Sequence, residues 1–313
     1  MCHTVEEPVP ETTRGSEVNM SSEKEILLHA EGVYKEFPTG QKGQKVHAVN
    51  GVNMKIYKGE TLALVGESGC GKSTLGRTMI HMLPATDGVI TFHDQEISSM
   101  DEKTFRPLRP KLQMIFQDPY ASLDPRMTVR DIIAEPLETY HVCKNKEETT
   151  ERVLELMKAV GVPVEFQNRY PHQFSGGQRQ RIGIARAIAL QPELIVCDEP
   201  VSALDVSVQS QVLNLLKDLQ QKYGLTYLFI GHDLSVINFI ADRICVMFLG
   251  NVRGEHRKML MGEIPSPVNP PSGCCFRTRC PYATERCAKE KPQLKKVDGR
   301  YVACHHVEEQ FPA

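Results

Sequence analysis

Apolar positions along the chain fall into short blocks that switch between two periodicities. From Ala48 to Ile56 they partly alternate with polar positions, which predicts a half-buried strand. Tyr57-Lys58-Gly59-Glu60 reads as a turn. Thr61 to Val65 and Leu194 to Cys197 are instead continuous apolar runs, the pattern of strands covered on both faces, and Thr226 to Ile230 reads as a further strand. Residues 147–160 and 178–190 show the helical spacing, and in the second Ile182, Ala185, Ile188 and Ala189 fall near one face. Further helices are predicted from about Lys72 to Leu83, from Val206 to Tyr223 and from Leu234 to Ala241. Strands alternating with helices predict an α/β fold built on a parallel sheet.

The two ends read differently. Residues 1–24 are rich in Pro, Glu, Ser and Thr and poor in apolar residues, which predicts a disordered lead-in. Four prolines between Pro265 and Ser272 break regular structure, and a Cys-rich tail follows. At ~100–200 residues per domain, 313 residues make about two units, or one large domain with an appendage. No apolar run approaches the ~20 residues that span a bilayer. The longest candidate, Phe239 to Leu249, is interrupted by Asp242 and Arg243. The first residues lack the apolar region of a signal peptide. The expectation is a soluble, cytoplasmic chain whose membrane contact comes through partners.

Composition narrows the class. With 41% hydrophobic and 24% charged residues the chain is globular for most of its length. Lys+Arg 37 against Asp+Glu 39 leaves no basic excess, which excludes a general nucleic-acid binder. The charge is uneven: residues 1–25 hold six acids and two bases, residues 251–304 eleven bases and five acids.

Gly66-Glu67-Ser68-Gly69-Cys70-Gly71-Lys72-Ser73-Thr74 fits G-x-x-x-x-G-K-[ST], directly after a predicted strand and opening a predicted helix. Glycines let backbone N–H groups wrap phosphates, and the helix N-terminus adds positive partial charge. Lys72 is placed to reach the β- and γ-phosphates and the Ser73 hydroxyl to ligate Mg²⁺. In Leu194-Ile195-Val196-Cys197-Asp198-Glu199, two carboxylates emerge at the C-terminal end of a buried strand, where ligands bind in open α/β sheets. Asp198 is the candidate Mg²⁺ partner and Glu199 the candidate general base on water. Phe174-Ser175-Gly176-Gly177-Gln178 opens another helix. It reads either as a second anion site, serving a partner's nucleotide, or as a helix cap supplied by Ser175.

Taken together, these motifs resemble those of the ATP-binding-cassette (ABC) ATPases. S-G-G-Q matches that family's signature motif, with Phe174 where Leu is usual. Gln117 in Met114-Ile115-Phe116-Gln117-Asp118-Pro119 matches the glutamine that senses Mg²⁺ and the γ-phosphate. Ser202-Ala203-Leu204-Asp205 matches the D-loop, and His232 the switch histidine that contacts the γ-phosphate. Phe37 stands where the family stacks an aromatic on adenine, with a simple core residue as the alternative. The resemblance covers about residues 30–250. It implies a parallel α/β core, a small antiparallel β region near the N-terminus and a helical subdomain near 115–190. It further implies that two cassettes pair head to tail, each signature facing the other's phosphate loop.

A narrower resemblance lies in Gln113 to Arg126 and in Gly262 to Cys274 followed by Arg279-Cys280-Pro281. These look like the oligopeptide/dipeptide importer ATPases, most of all the second of that importer's two ATPase subunits. The implied division is a lead-in over 1–24, an ATPase domain over 25–250 and a Cys-rich C-terminal region over 251–313. The implied partners are a second ATPase subunit, two membrane permease subunits and an extracytoplasmic solute-binding protein, with this chain peripheral at the cytoplasmic face and no nucleic acid involved. The implied cofactors are ATP and Mg²⁺. The implied cargo is a di- or oligopeptide; the alternatives are the same machinery importing nickel or another small solute, or a non-transport ABC ATPase. Cys274-x5-Cys280-x6-Cys287-x16-Cys304 offers four thiolates, enough for zinc or an iron–sulfur cluster. The subfamily resemblance implies a [4Fe–4S] cluster, and small buried apolar residues are the alternative. One departure from the subfamily pattern is that only Asn251 to Met261 separates Gly250 from Gly262, where a helix with an H-P-Y-T-like stretch is expected.

Overall fold

The computed structural model describes residues 25–38, 44–253, 270–280, 282–297 and 300–310. The lead-in over 1–24 and most of the Gly262 to Cys274 stretch therefore lie outside the described residues.

In chain order the strands are β1 (Ile26–Pro38), β2 (Lys45–Tyr57), β3 (Thr61–Gly66), β4 (Asp87–Phe92), β5 (Gln95–Glu96), β6 (Leu112–Ile115), β7 (Leu194–Asp198), β8 (Thr226–Gly231), β9 (Arg243–Phe248), β10 (Asn251–Arg253), β11 (Lys295–Val297) and β12 (Arg300–Val302). The helices are α1 (Lys72–Met79), α2 (Glu102–Phe105), α3 (Val129–Thr139), α4 (Lys146–Ala159), α5 (Gly176–Ile188), α6 (Val206–Tyr223), α7 (Leu234–Ile240), α8 (Glu285–Lys289) and α9 (His305–Gln310). Three short 3₁₀ turns complete the described elements, at Arg109–Lys111, Val164–Phe166 and Pro171–Gln173.

The central sheet runs β10-β9-β3-β8-β7-β6. Its four pairings from β9 to β6 are parallel, and at the edge β10 folds back antiparallel on β9. The continuous apolar runs are these parallel strands, and every residue of β7 and β8 is buried. Alternation survives as a division between two cores, because successive side chains leave a strand on opposite faces. Ala63, Val65, Ile195, Cys197, Tyr227 and Phe229 face the core shared with α3 to α7. Leu62, Leu64, Leu194, Val196, Leu228 and Ile230 face the core shared with α1 and the second sheet. That second sheet is antiparallel, in the order β2-β1-β4-β5, with the half-buried alternation expected from Ala48 to Ile56.

The parallel register fixes where chemistry can occur. Val65 pairs with Gly231, Gly66 with Met247 and Asp198 with Ile230. The C-terminal ends of β3, β7, β8 and β9 therefore meet along one edge, and the loops carrying Glu67 to Gly71, Glu199 and His232 leave from it.

Tyr227 shows how the core is tied across layers. Its ring is fully buried and its hydroxyl donates to the Leu216 carbonyl of α6 at 3.0 Å. Tyr227→Phe removes that bond and no packing, so unfolding free energy by denaturant titration should fall by about 1 kcal/mol. An unchanged midpoint would show that the hydroxyl contributes nothing.

Beyond β10 the described tail leans on the end of the central sheet. Phe276 packs edge-on to Phe248 with centroids 5.0 Å apart, and Cys275 joins Phe248 and Leu249 in a small buried cluster. Among the described residues no helix is long and apolar enough to cross a membrane. The Phe239 to Leu249 segment is the end of α7 followed by β9.

Candidate active site

The loop between β3 and α1 is shaped by glycines that no other residue replaces. Gly71, the residue before α1, has φ +103°, and a Cβ there would run into the Ala48 carbonyl of β2. Gly66 likewise faces the Met247 carbonyl of β9. The loop is thus pressed between two strands, and the first N–H groups of α1, which a helix cannot pair itself, open into it.

Lys72 is buried, and its ammonium curls back on its own loop. Nζ donates to the carbonyls of Gly66 at 2.8 Å and Glu67 at 2.9 Å. The Cys70 thiol lies 4.0 Å away. Burial pushes that thiol up and the nearby Lys72 charge only partly opposes it, so Cys70 stays a neutral packing group rather than a nucleophile. Ser68 and Gly69 are exposed at the loop's tip, and Thr74 is half-buried in the first turn of α1.

Ser73 and Asp198 are brought into direct contact, the hydroxyl donating to Oδ1 at 2.6 Å. Asp198 is fully buried, and Arg77 lies 3.5 Å from its Oδ2. Sequence reasoning passed over Arg77. The signal was its place one turn after Ser73, at i+4 on the same helix face.

Glu199 follows Asp198 with φ +45°, a left-handed backbone that turns its side chain away from the strand. Its N–H donates to the Ile230 carbonyl at 3.0 Å, which ties the turn to β8. Its carboxylate is 16% exposed and receives two of the expected residues. Gln117 Nε2 donates to Oε2 at 2.9 Å, and His232 Nδ1 lies 3.4 Å from Oε1. His232 is 60% exposed, so it can swing toward a ligand without unpacking anything. Gln117, Glu199 and His232 come from 117, 199 and 232 in sequence and form one constellation beside the phosphate-loop end of the sheet.

The remaining expected residues stand apart. Ser175 caps α5 in a reciprocal pair: its hydroxyl accepts from the Gln178 N–H at 3.4 Å, and the Gln178 side chain accepts from the Ser175 N–H at 3.1 Å. Gly176 and Gly177 form the first turn behind it, with Gly177 buried against Val208 of α6. Phe174 anchors this turn in the core, which explains how Phe serves where Leu is usual. Asp205 is exposed at the start of α6 and makes no side-chain cap bond. Phe37 is half-buried near the end of β1 with Lys35 Nζ 5.1 Å from its ring, outside both cores.

The four tail cysteines do not form the expected ligand cage. Among the described residues no group of three or more His, Cys, Asp or Glu is arranged to hold a metal ion. Cys274 and Cys287 are buried and joined through backbone, the Cys274 N–H donating to the Cys287 carbonyl at 2.7 Å, while Cys280 and Cys304 are half-buried. The Cys280 thiol is pushed up by burial, with smaller contributions in the same direction from Cys304, Cys274 and Cys287. The extra thiol, Cys275, accepts from Asn251 Nδ2 at 3.4 Å in the small cluster under the tail.

Comparison with known proteins agrees with this geometry. The family model described as ABC transporter matches residues 49–202. The chain is 47% identical to the oligopeptide transport ATP-binding protein AppF of Bacillus subtilis, over 91% of this chain and 98% of that protein. It is 48% identical to the oligopeptide transport ATP-binding protein OppF of Escherichia coli, over 86% of this chain and 90% of that protein. Among solved structures it is similar to a dimeric ATP-binding cassette, MJ0796, in a post-hydrolysis state bound to ADP and Pi. That likeness has a TM-score of 0.67 and 31% identity, over 74% of this chain and 98% of the other.

Proposed function

Because the chain belongs to the ABC transporter family, we propose that it is the ATP-hydrolysing subunit of an importer for oligopeptides or dipeptides. The observation that carries this reading is the meeting of Gln117, Glu199 and His232 beside the loop that holds Lys72 and Ser73. It is supported by identity near one half, over most of the chain, to proteins named for oligopeptide transport.

The substrate is MgATP. Ser73 Oγ and Asp198 Oδ1 present hard oxygen donors side by side, the chemistry Mg²⁺ selects, and the ion would offset phosphate charge when bound. Lys72 exchanges its two loop carbonyls for the β- and γ-phosphate oxygens. Glu199 takes or orients the proton of the attacking water, with Gln117 and His232 setting its carboxylate in place. Phe37 stacks on the adenine.

Ser175 to Gln178 and Asp205 act in trans. Apart from the buried Gly177 they lie on exposed or half-buried surface away from the phosphate loop, and a second cassette would bring them to its nucleotide. That partner is a second ATPase subunit, giving a heterodimer under two permease subunits fed by a solute-binding protein, with this chain peripheral at the cytoplasmic face. Closure on ATP and release after loss of the γ-phosphate drive the permeases. We assign 25–250 to the ATPase domain, with its helical part near 115–190, and 251–313 to the tail. Among the described residues no group is arranged to hold a metal ion, so no step runs through zinc or an iron–sulfur cluster at the tail cysteines.

The test is uptake of a labelled di- or oligopeptide in a host lacking this gene. Wild type should restore uptake and Glu199→Gln should not. Failure of the wild type to restore it would overturn the peptide assignment in favour of nickel or another small solute.

A further inference from the structure

The tail touches the phosphate loop through one side chain. Arg279 Nη1 bridges both carboxylate oxygens of Glu67, the second residue of the loop, one of them at 2.6 Å. The arginine side chain is 8% exposed and the glutamate 30%. The Arg279 Nε is buried without a hydrogen-bond partner among the described residues. Arg279 thus forgoes full satisfaction within the tail and spends its charge on a carboxylate 212 residues away. Two acids of the tail itself pair elsewhere, Glu290 with Arg286 and Glu285 with Lys289.

The reach is set by packing. Phe276, three residues earlier, sits on Phe248 at the end of β9, and the Arg279 guanidinium lies 5.8 Å from the same ring. The Gly250 N–H, just beyond β9, donates to the Cys70 carbonyl of the loop at 3.0 Å. Tail and loop therefore share one wall, and among the described residues Glu67 is the acid that Arg279 pairs with.

Glu67 poses a problem for an anion site. It follows Gly66, which is pressed on the Met247 carbonyl, in a loop tied to Gly250 through the Cys70 carbonyl, so its carboxylate stays in the neighbourhood of the phosphates. A bare carboxylate beside a triphosphate is a like-charge contact, and such contacts cost affinity. We propose that Arg279 is a positioning residue of the nucleotide site: it draws the Glu67 carboxylate onto the tail and cancels its charge, so that the tail sets the affinity of the loop for phosphates. This rests on the ATP reading given above.

A double-mutant cycle on the full chain tests it, with MgATP and AMP binding measured by calorimetry. Arg279→Gln should weaken MgATP about tenfold and AMP, which carries less charge, by clearly less. In the Glu67→Gln background the same substitution should change MgATP affinity less than about twofold, because no carboxylate remains to be cancelled. Arg279→Lys, which keeps the charge, should recover most of the loss. Arg279→Met keeps the packing on Phe248 and replaces Arg279→Gln in the cycle if the latter does not fold. Equal losses in both backgrounds would reduce Arg279 to a structural anchor and overturn the proposal, as would no loss in either. A folded wild type that binds no MgATP would overturn the nucleotide reading beneath it instead.

Discussion

Glu199→Gln should bind MgATP as the wild type does and hydrolyse it ~10²–10⁴-fold more slowly, the range a positioned general base contributes. The amide has the shape of the carboxylate, so the left-handed turn at 199 and its tie to Ile230 are kept. Its oxygen still accepts from Gln117 Nε2, the 2.9 Å contact of the native carboxylate. What is lost is the proton acceptor. Gln117→Ala provides the complementary measurement: it leaves the base but removes one of its two supports. It should therefore cost turnover far less, about tenfold, as expected of a group that orients rather than reacts. Steady-state phosphate release, with nucleotide binding measured in parallel, separates the two effects. Wild-type turnover in Glu199→Gln would remove Glu199 from the chemistry and leave the 117–199–232 constellation without a function.

The parallel sheet is the most legible part of the chain. Near-continuous apolar runs at 61–65 and 194–197, with the strand read at 226–230, suit a parallel sheet covered on both faces, and they become β3, β7 and β8. The phosphate loop is legible for a related reason: Gly71 is required by a positive φ and a facing carbonyl, so the motif encodes its own geometry. Two elements are not legible. β1 is long and bulged, with register shifts that scramble its alternation against β2. α3 carries Pro136 inside it, a residue that argues against helix, yet it forms because Thr128 and Asp131 cap it reciprocally and Ile132, Ile133 and Leu137 are buried. At the site, the residues brought to Glu199 are legible only through family resemblance, since no local pattern says that 117 and 232 meet at 199. The Arg279–Glu67 contact is legible in no way at all, because nothing in the spacing of the tail points to the loop. The tail also shows the limit of spacing as a signal. Four cysteines stand at metal-like intervals, yet among the described residues no group of three or more His, Cys, Asp or Glu is arranged to hold a metal ion.

Lys72→Ala carries the second large effect, on binding rather than turnover. The native ammonium makes two hydrogen bonds to loop carbonyls, and a bound nucleotide would exchange them for charged phosphate oxygens. Hydrogen bonds to charged groups contribute ~1.5–3 kcal/mol each, so losing the cation should weaken MgATP by about 10²-fold. Loss of the same two carbonyl contacts also loosens the empty loop, which confuses a simple comparison of melting temperatures. The informative quantity is the nucleotide-dependent shift within each protein. For wild type at ~100 times the dissociation constant, ligand linkage adds about 2.7 kcal/mol to stability. For Lys72→Ala at the same MgATP concentration that increment should all but vanish, whatever happens to the melt without nucleotide. A variant that melts earlier yet keeps the full increment would make Lys72 a brace for the loop and not its phosphate ligand. The phosphates would then have to be held by the N–H groups of Gly71 to Thr74 alone, a purely backbone site at the N-terminus of α1.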